Sequence, residues 1–90
     1  MKLKDEGGSG MLKEKYSLNA ETLNFITEFE KTVESGKVYT TQELVDLFEK
    51  SPFNKEQFDT YKKPKNNSIW YALKRSGNWT MLKRGVYQKK

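Results

Sequence analysis

The sequence predicts an α+β fold, with three to four helices and a small two- to three-stranded antiparallel sheet, in one domain covering residues 11–90. Three observations predict it. Apolar residues recur at helical spacing in three separate stretches, each bounded by a capping residue, a glycine or a proline. A β-prone triplet, Val38–Thr40, and an alternating stretch that turns at Arg84-Gly85 supply short strands. Twelve aromatics give about eighty residues enough bulk for one modest core, burying roughly two-thirds of the unfolded surface.

Met1–Gly10, "MKLKDEGGSG", is charged and then Gly/Ser-rich, and it reads as an added leader with a flexible linker, the natural chain starting at Met11. The alternative is a short peptide ligand tethered at high effective concentration. The first helix is expected over 18–35, capped by Ser17 or Asn19 and ended by Gly36. Its stripe is Thr22, Ile26, Phe29 and Val33, with Leu18 and Phe25 beside it, and its acids Glu21, Glu28, Glu30 and Glu34 read as a solvated face. After the Val38–Thr40 strand, Thr40 and Glu43 have capping-box spacing, so a second helix should run over 41–50 and bury Leu44, Val45, Leu47 and Phe48. Ser51-Pro52 stops it.

The next stretch suggests a short helix over 55–62, with Asn54 and Gln57 at capping spacing, Phe53, Phe58 and Tyr61 facing the core, and Pro64 as its terminator. A third full helix is expected over 67–76, capped by Asn66 or Asn67 and ended by Gly77. Ile69, Ala72, Leu73 and Ser76 share its inner face, and Asn67, Tyr71 and Lys74 lie roughly opposite, with Ser68 and Arg75 at the flank. Trp79–Lys83 and Val86–Gln88 then form a hairpin, with Val38–Thr40 as a third strand, since a lone hairpin is marginal in water. Trp70 and Trp79 are both assigned to core or sheet packing, with stacking on bases as the alternative, and Val86 to the inner face of the sheet.

Charge is distributed unevenly along this pattern. Residues 1–60 hold eight Lys and all twelve acids, a net of −4, whereas residues 61–90 hold seven Lys, two Arg and no acid, a net of +9. A disordered basic tail would explain the charge but not Ile69, Leu73 and Trp79 at regular spacing. The basic segment therefore has an inner face that folds and an outer face suited to a polyanion.

The order helix, strand, helix, helix, strand, strand resembles the winged helix-turn-helix family. The segments that carry the resemblance are "VYTTQELVDLF", "NNSIWYALKR" and "NWTMLKRGVYQ", and the last is similar to the closing hairpin of HARE-type winged helices. Those occur in chromatin proteins, in an RNA polymerase subunit and attached to some restriction endonucleases. The stretch from Ser51 to Asn66 departs from a simple helix-turn-helix, whose turn has about three or four residues. The resemblance implies a DNA-binding module for transcription regulation, with helix 67–76 in the recognition position. Asn67 and Ser68 would then approach base edges, with Asn66 beside them and Tyr71 and Lys74 further along the same exposed side; Lys65 and Arg75 would neutralise phosphates, and Lys83 and Arg84 at the hairpin tip would reach backbone or minor groove. Lys62, Lys63, Lys89 and Lys90 would enlarge the positive field. Asn66 and Asn67 are equally placed to be helix caps; for Lys83 and Arg84 the alternative is a solubilised turn, over which the charge asymmetry favours the wing.

The expected partner is DNA, most simply duplex, alone or within a larger protein assembly. The alternative is a winged helix that binds an acidic protein partner or a short peptide. Enzyme chemistry is not expected: the chain has no His and no Cys, and "GGSG" lacks the Lys-Ser/Thr of a phosphate-binding loop. No cofactor and no metal are called for. No apolar run approaches the roughly 18 residues that span a membrane, and the expected location is the cytoplasm, on the nucleoid if the source is bacterial.

Overall fold

The computed structural model describes residues 17–90; the leader and linker expected at 1–10 lie outside the described residues. The chain is α+β. In order, α1 spans Leu18–Phe29 and continues as a 3-10 turn at Glu30–Thr32. β1 is Val38–Thr40 and α2 is Thr41–Glu49. A second 3-10 turn at Glu56–Thr60 precedes α3, Lys65–Ser76; β2 is Trp79–Lys83 and β3 is Val86–Lys89. The strands form an antiparallel sheet in the order β1-β3-β2, so the last strand sits in the middle.

Ser17 caps α1, its hydroxyl accepting from the Ala20 N–H at 3.2 Å. The helix stops earlier than its pattern predicts. The chain tightens after Phe29 and is already extended at Val33, where two β-branched residues in succession, Thr32 and Val33, favour leaving the helix. Gly36 is left-handed, with φ 93°, but its role lies at the sheet. Its N–H donates to the Lys89 carbonyl at 2.8 Å, which fastens the entry to β1 against β3.

The capping box of α2 forms as predicted. Thr40 Oγ1 accepts from the Glu43 N–H at 3.1 Å, and Glu43 Oε1 accepts from the Thr40 N–H at 2.8 Å. Leu44, Val45 and Phe48 are buried, but Leu47 is exposed. It lies about 100° round the helix from the middle of the face those three define.

The 51–64 segment is not an α-helix. It makes only the 3-10 turn, and Asn54, the expected cap, instead donates from Nδ2 to the Glu49 carbonyl. Phe58 is nevertheless buried, stacked against Phe48 with ring centroids 6.4 Å apart, and Phe53 and Tyr61 pack partly against the core. Pro64 does not end this segment's helix. It occupies the N-cap of α3, with φ −66° and ψ 144°, so α3 begins at Lys65, two residues earlier than expected. Asn66 and Asn67 lie inside its first turn and cap nothing. Gly77 ends α3 in the left-handed conformation, as predicted.

α1 and α3 pack closely because small residues meet between them. Thr22 is fully buried, and its hydroxyl lies 3.3 Å from the Ser68 carbonyl, with Ala72 one turn further along α3. An aromatic layer joins α1 to the sheet: Phe25 stacks on Phe29 at 5.5 Å, Phe29 lies parallel to Trp79 at 6.4 Å, and Tyr39 meets both edge-on. Each such ring brings a large buried area and a preferred geometry. On β3 the buried residue is Tyr87, paired with Tyr39 and Met81, rather than Val86, which is half-buried.

Glu30 is not part of a solvated face. Its Oε1 accepts from the Trp79 indole N–H at 2.9 Å and its Oε2 from Asn78 Nδ2 at 2.8 Å. Two charge-assisted bonds thus hold the base of the β2–β3 hairpin to the end of α1. Trp79 packs where it was expected. Trp70 does not: it stands 41% exposed on the outer side of α3.

Candidate nucleic-acid interface

The outer face of α3 and the β2–β3 hairpin border a common cleft of about 690 Å³, lined by Asn66, Asn67, Trp70, Met81, Arg84 and Tyr87 among others. A second cleft of about 450 Å³ is lined by Trp70, Asn67, Tyr71, Lys63 and Asn19. Trp70 and Asn67 are the walls the two clefts share.

Among the expected site residues, Asn66 and Asn67 are exposed, and their side chains make no hydrogen bond with any described residue. Tyr71 is exposed, with the Arg75 guanidinium 5.5 Å from its ring centroid. Lys74 lies over Trp70, its Nζ 4.7 Å from the indole centroid. Lys83 ends β2 and Arg84 opens the turn, with Gly85 at φ 79° allowing the tight return. Both side chains are exposed and have no carboxylate within salt-bridge distance among the described residues. Lys62, Lys63 and Lys90 are exposed as well, while the Lys89 ammonium donates to the Lys90 carbonyl.

Two expected site residues are not available. Ser68 is 1% exposed, turned toward α1, and its hydroxyl finds no partner among the described residues. It cannot reach a base edge. Lys65 is held inside the protein: its Nζ lies 3.0 Å from Glu49 Oε2 and 2.9 Å from Asp59 Oδ1, with the side chain 12% exposed. Burial alone would lower its pKa, but the hydrogen bonds and charges of Asp59 and Glu49 outweigh it, and the pKa is raised. Lys65 is thus a clamp between α3, the end of α2 and the 56–60 turn, and not a free phosphate ligand.

Two residues that line the cleft are not among the expected site residues. Trp70 is expected to pack, with stacking on bases as its alternative, and helical spacing puts it about 110° from the middle of the Ile69–Leu73 face, on the same side as Lys74 and Asn67. Met81 alternates in phase with the buried Trp79, yet it is 55% exposed, next to an irregularity between Met81 and Lys83 where Leu82 is the extra residue. Such bulges re-aim neighbouring side chains, and no sequence signal marks this one.

The electrostatic result is one-sided. Lys74, Arg75, Lys83 and Arg84 are exposed, and the acids whose contacts reach α3 and the hairpin are already engaged: Glu30 by Trp79 and Asn78, Glu49 and Asp59 by Lys65. The first turn of α3 also has no side-chain cap, which leaves backbone N–H groups open at the positive end of the helix dipole. Among the described residues, no group of three His, Cys, Asp or Glu could hold a metal ion, and no helix is long and apolar enough to cross a membrane. Compared with protein-family models, curated proteins and solved structures, the chain matches none.

Proposed function

We propose that the chain is a winged-helix module that binds nucleic acid, duplex DNA first of all, with α3 in the recognition position and the β2–β3 hairpin as the wing. The observation that carries this reading is a set of exposed cations on α3 and the hairpin, Lys74, Arg75, Lys83 and Arg84, with no carboxylate partner among the described residues, together with Asn66 and Asn67, which line one cleft with Arg84. Asn presents a donor and an acceptor side by side and suits adenine N6 and N7, whereas the cations neutralise phosphates and fix orientation. Lys62 and Lys63, just before α3, extend the field and speed encounter. Such a module would work in the cytoplasm, on the nucleoid of a bacterial source or on its phage's DNA.

A second reading, docking of an acidic protein partner, is favoured by the exposed Trp70, Tyr71, Met81 and Leu82, since exposed apolar residues also mark protein contacts. NMR titration of the full chain with duplex DNA at two salt concentrations separates them. The DNA reading expects shifts along the outer face of α3 and residues 80–86 that fade steeply with salt. Shifts confined to α1, or binding indifferent to salt, would reject it.

A further inference from the structure

We propose that the cleft between α3 and the hairpin takes a single unstacked nucleobase, so that the protein prefers nucleic acid carrying an unpaired nucleotide beside a duplex over uninterrupted duplex. This rests on the nucleic-acid reading above and adds to it the form of the ligand. The central observation is Trp70. An indole left 41% exposed on an otherwise polar helix face forgoes the burial that aromatic residues usually gain. It lines two clefts, and Lys74 lies over its ring.

Uninterrupted duplex has little use for such an indole, because the flat faces of its bases are hidden in the stack and only their edges are presented in the grooves. An unpaired base offers its face, and stacking on an aromatic side chain is the general means of holding it. The rest of the cleft fits that ligand. Met81, brought in from the hairpin and 55% exposed, supplies an apolar lining residue. Asn66 and Asn67 supply amide donors and acceptors, without hydrogen-bond partners among the described residues, for the base's edge. Arg84 in the cleft and Lys74 at the indole supply cations for the phosphates on either side. At about 690 Å³ the space is of the size that holds small molecules, roughly 300–1,000 Å³, and a nucleoside falls within it. Stacking, not charge, selects this occupant over an acidic peptide, whose carboxylates would match the cations but leave Trp70 and Met81 without a flat partner.

The test uses the full chain and three labelled DNAs of one sequence: a matched duplex, the same duplex with a one-nucleotide bulge, and the same bulge lacking its base. Fluorescence anisotropy is expected to give tighter binding to the base-containing bulge, with the abasic bulge close to matched duplex. Trp70→Ala should reduce binding to the bulge by roughly 5- to 150-fold, the range set by loss of one base–aromatic stack, and barely alter the matched duplex. Trp70→Phe should keep most of the preference. In a Trp79→Phe background, the fluorescence of Trp70 should be quenched by the bulged DNA and not by the abasic one. Equal weakening of bulged and matched DNA by Trp70→Ala, or an abasic bulge bound as tightly as a base, would overturn the proposal while leaving DNA binding intact. Failure to bind any of the three at low salt would overturn both readings.

Discussion

Two lysines of α3 that look interchangeable in the sequence should behave oppositely when their charge is removed. Lys74 is exposed and lies over the indole of Trp70, with no carboxylate partner among the described residues, whereas Lys65 is enclosed by Glu49 and Asp59. If Lys74, Arg75, Lys83 and Arg84 each neutralise one phosphate, the log–log dependence of affinity on salt has a slope of about −3.6, at roughly −0.9 per contact. Raising salt fourfold then weakens binding by a factor of roughly 150. Lys74→Gln should leave a slope of about −2.7 and a loss of only roughly 40-fold over the same range. Replacing Lys65 alone would expose two carboxylates beside the interface, so the clean comparison is the triple variant Lys65→Gln, Glu49→Gln, Asp59→Asn. It removes the clamp as a unit and should keep the slope of about −3.6. Its cost should appear as stability, on the order of 1 kcal/mol, because both carboxylates are largely hydrated and such pairs contribute little. Anisotropy titrations at several salt concentrations measure the slopes, and urea unfolding measures the cost. A triple variant whose slope falls by as much as that of Lys74→Gln would show that Lys65 leaves its clamp to contact DNA, and the division of α3 into clamp and contact would be wrong.

Glu30→Ala should destabilise the fold by about 2–4 kcal/mol, since it removes two charge-assisted bonds and leaves the partly buried Trp79 N–H without a partner; chemical denaturation measures this, and a change under 0.5 kcal/mol would rule out the clamp. Ser68→Ala should leave DNA affinity unchanged and keep or raise stability by up to about 1 kcal/mol, because it deletes a buried hydroxyl that has no partner; weaker binding in anisotropy would restore Ser68 to the interface. Stability should fall as pH rises past 10. Lys65 is raised above 10.5 by its carboxylates, so its contribution is whole below that value and vanishes as pH climbs through the folded pKa. Tyr87 is raised above 10.0 by burial, so unfolding releases its proton in the same direction. Urea midpoints followed from neutral to alkaline pH should decline together with these groups, and Tyr87→Phe should flatten part of the decline.

What could be read from the sequence was whatever depends on neighbours within a few residues. The Thr40–Glu43 box, the Ser17 cap, the Gly77 terminus and the Val38–Thr40 strand all follow from local chemistry, and all appear at their expected positions. The boundaries that moved were decided at longer range. Asn66 and Asn67 are good caps by residue type, but Pro64 has a fixed φ suited to the same position and starts α3 sooner. Lys65 and Ser68 were read as outward because position along a helix gives an angle, not the element that fills it. For Lys65 the filling elements are the end of α2 and the 56–60 turn; for Ser68 it is α1. Trp70 differs: its helical angle already places it with Lys74 and Asn67, and only the general tendency of Trp to be buried argues for the core.

The charge asymmetry between the two parts of the chain takes on a more specific meaning in three dimensions. Acids concentrated in the first sixty residues do not simply face solvent opposite a basic end. Three of them reach across: Glu30 binds the base of the hairpin, and Glu49 and Asp59 bind the first residue of α3. Each grips the basic segment from its inner or lateral side, so the element that carries the positive charge is fixed without an acid of its own on the outer face. Had those carboxylates been placed within residues 61–90, helical and strand spacing would have brought several of them among Lys74, Arg75, Lys83 and Arg84 and cancelled the field there. Excluding acids from the last third while supplying them from the first two-thirds therefore meets two requirements at once, a rigid mount and an uncancelled surface. It also predicts an asymmetry of tolerance. A new acid on the exposed side of α2 should be harmless, whereas the same acid at Asn67 or Thr80 should weaken nucleic-acid binding without changing the unfolding midpoint, and equal effects at both places would mean that net charge alone, not its arrangement, governs binding.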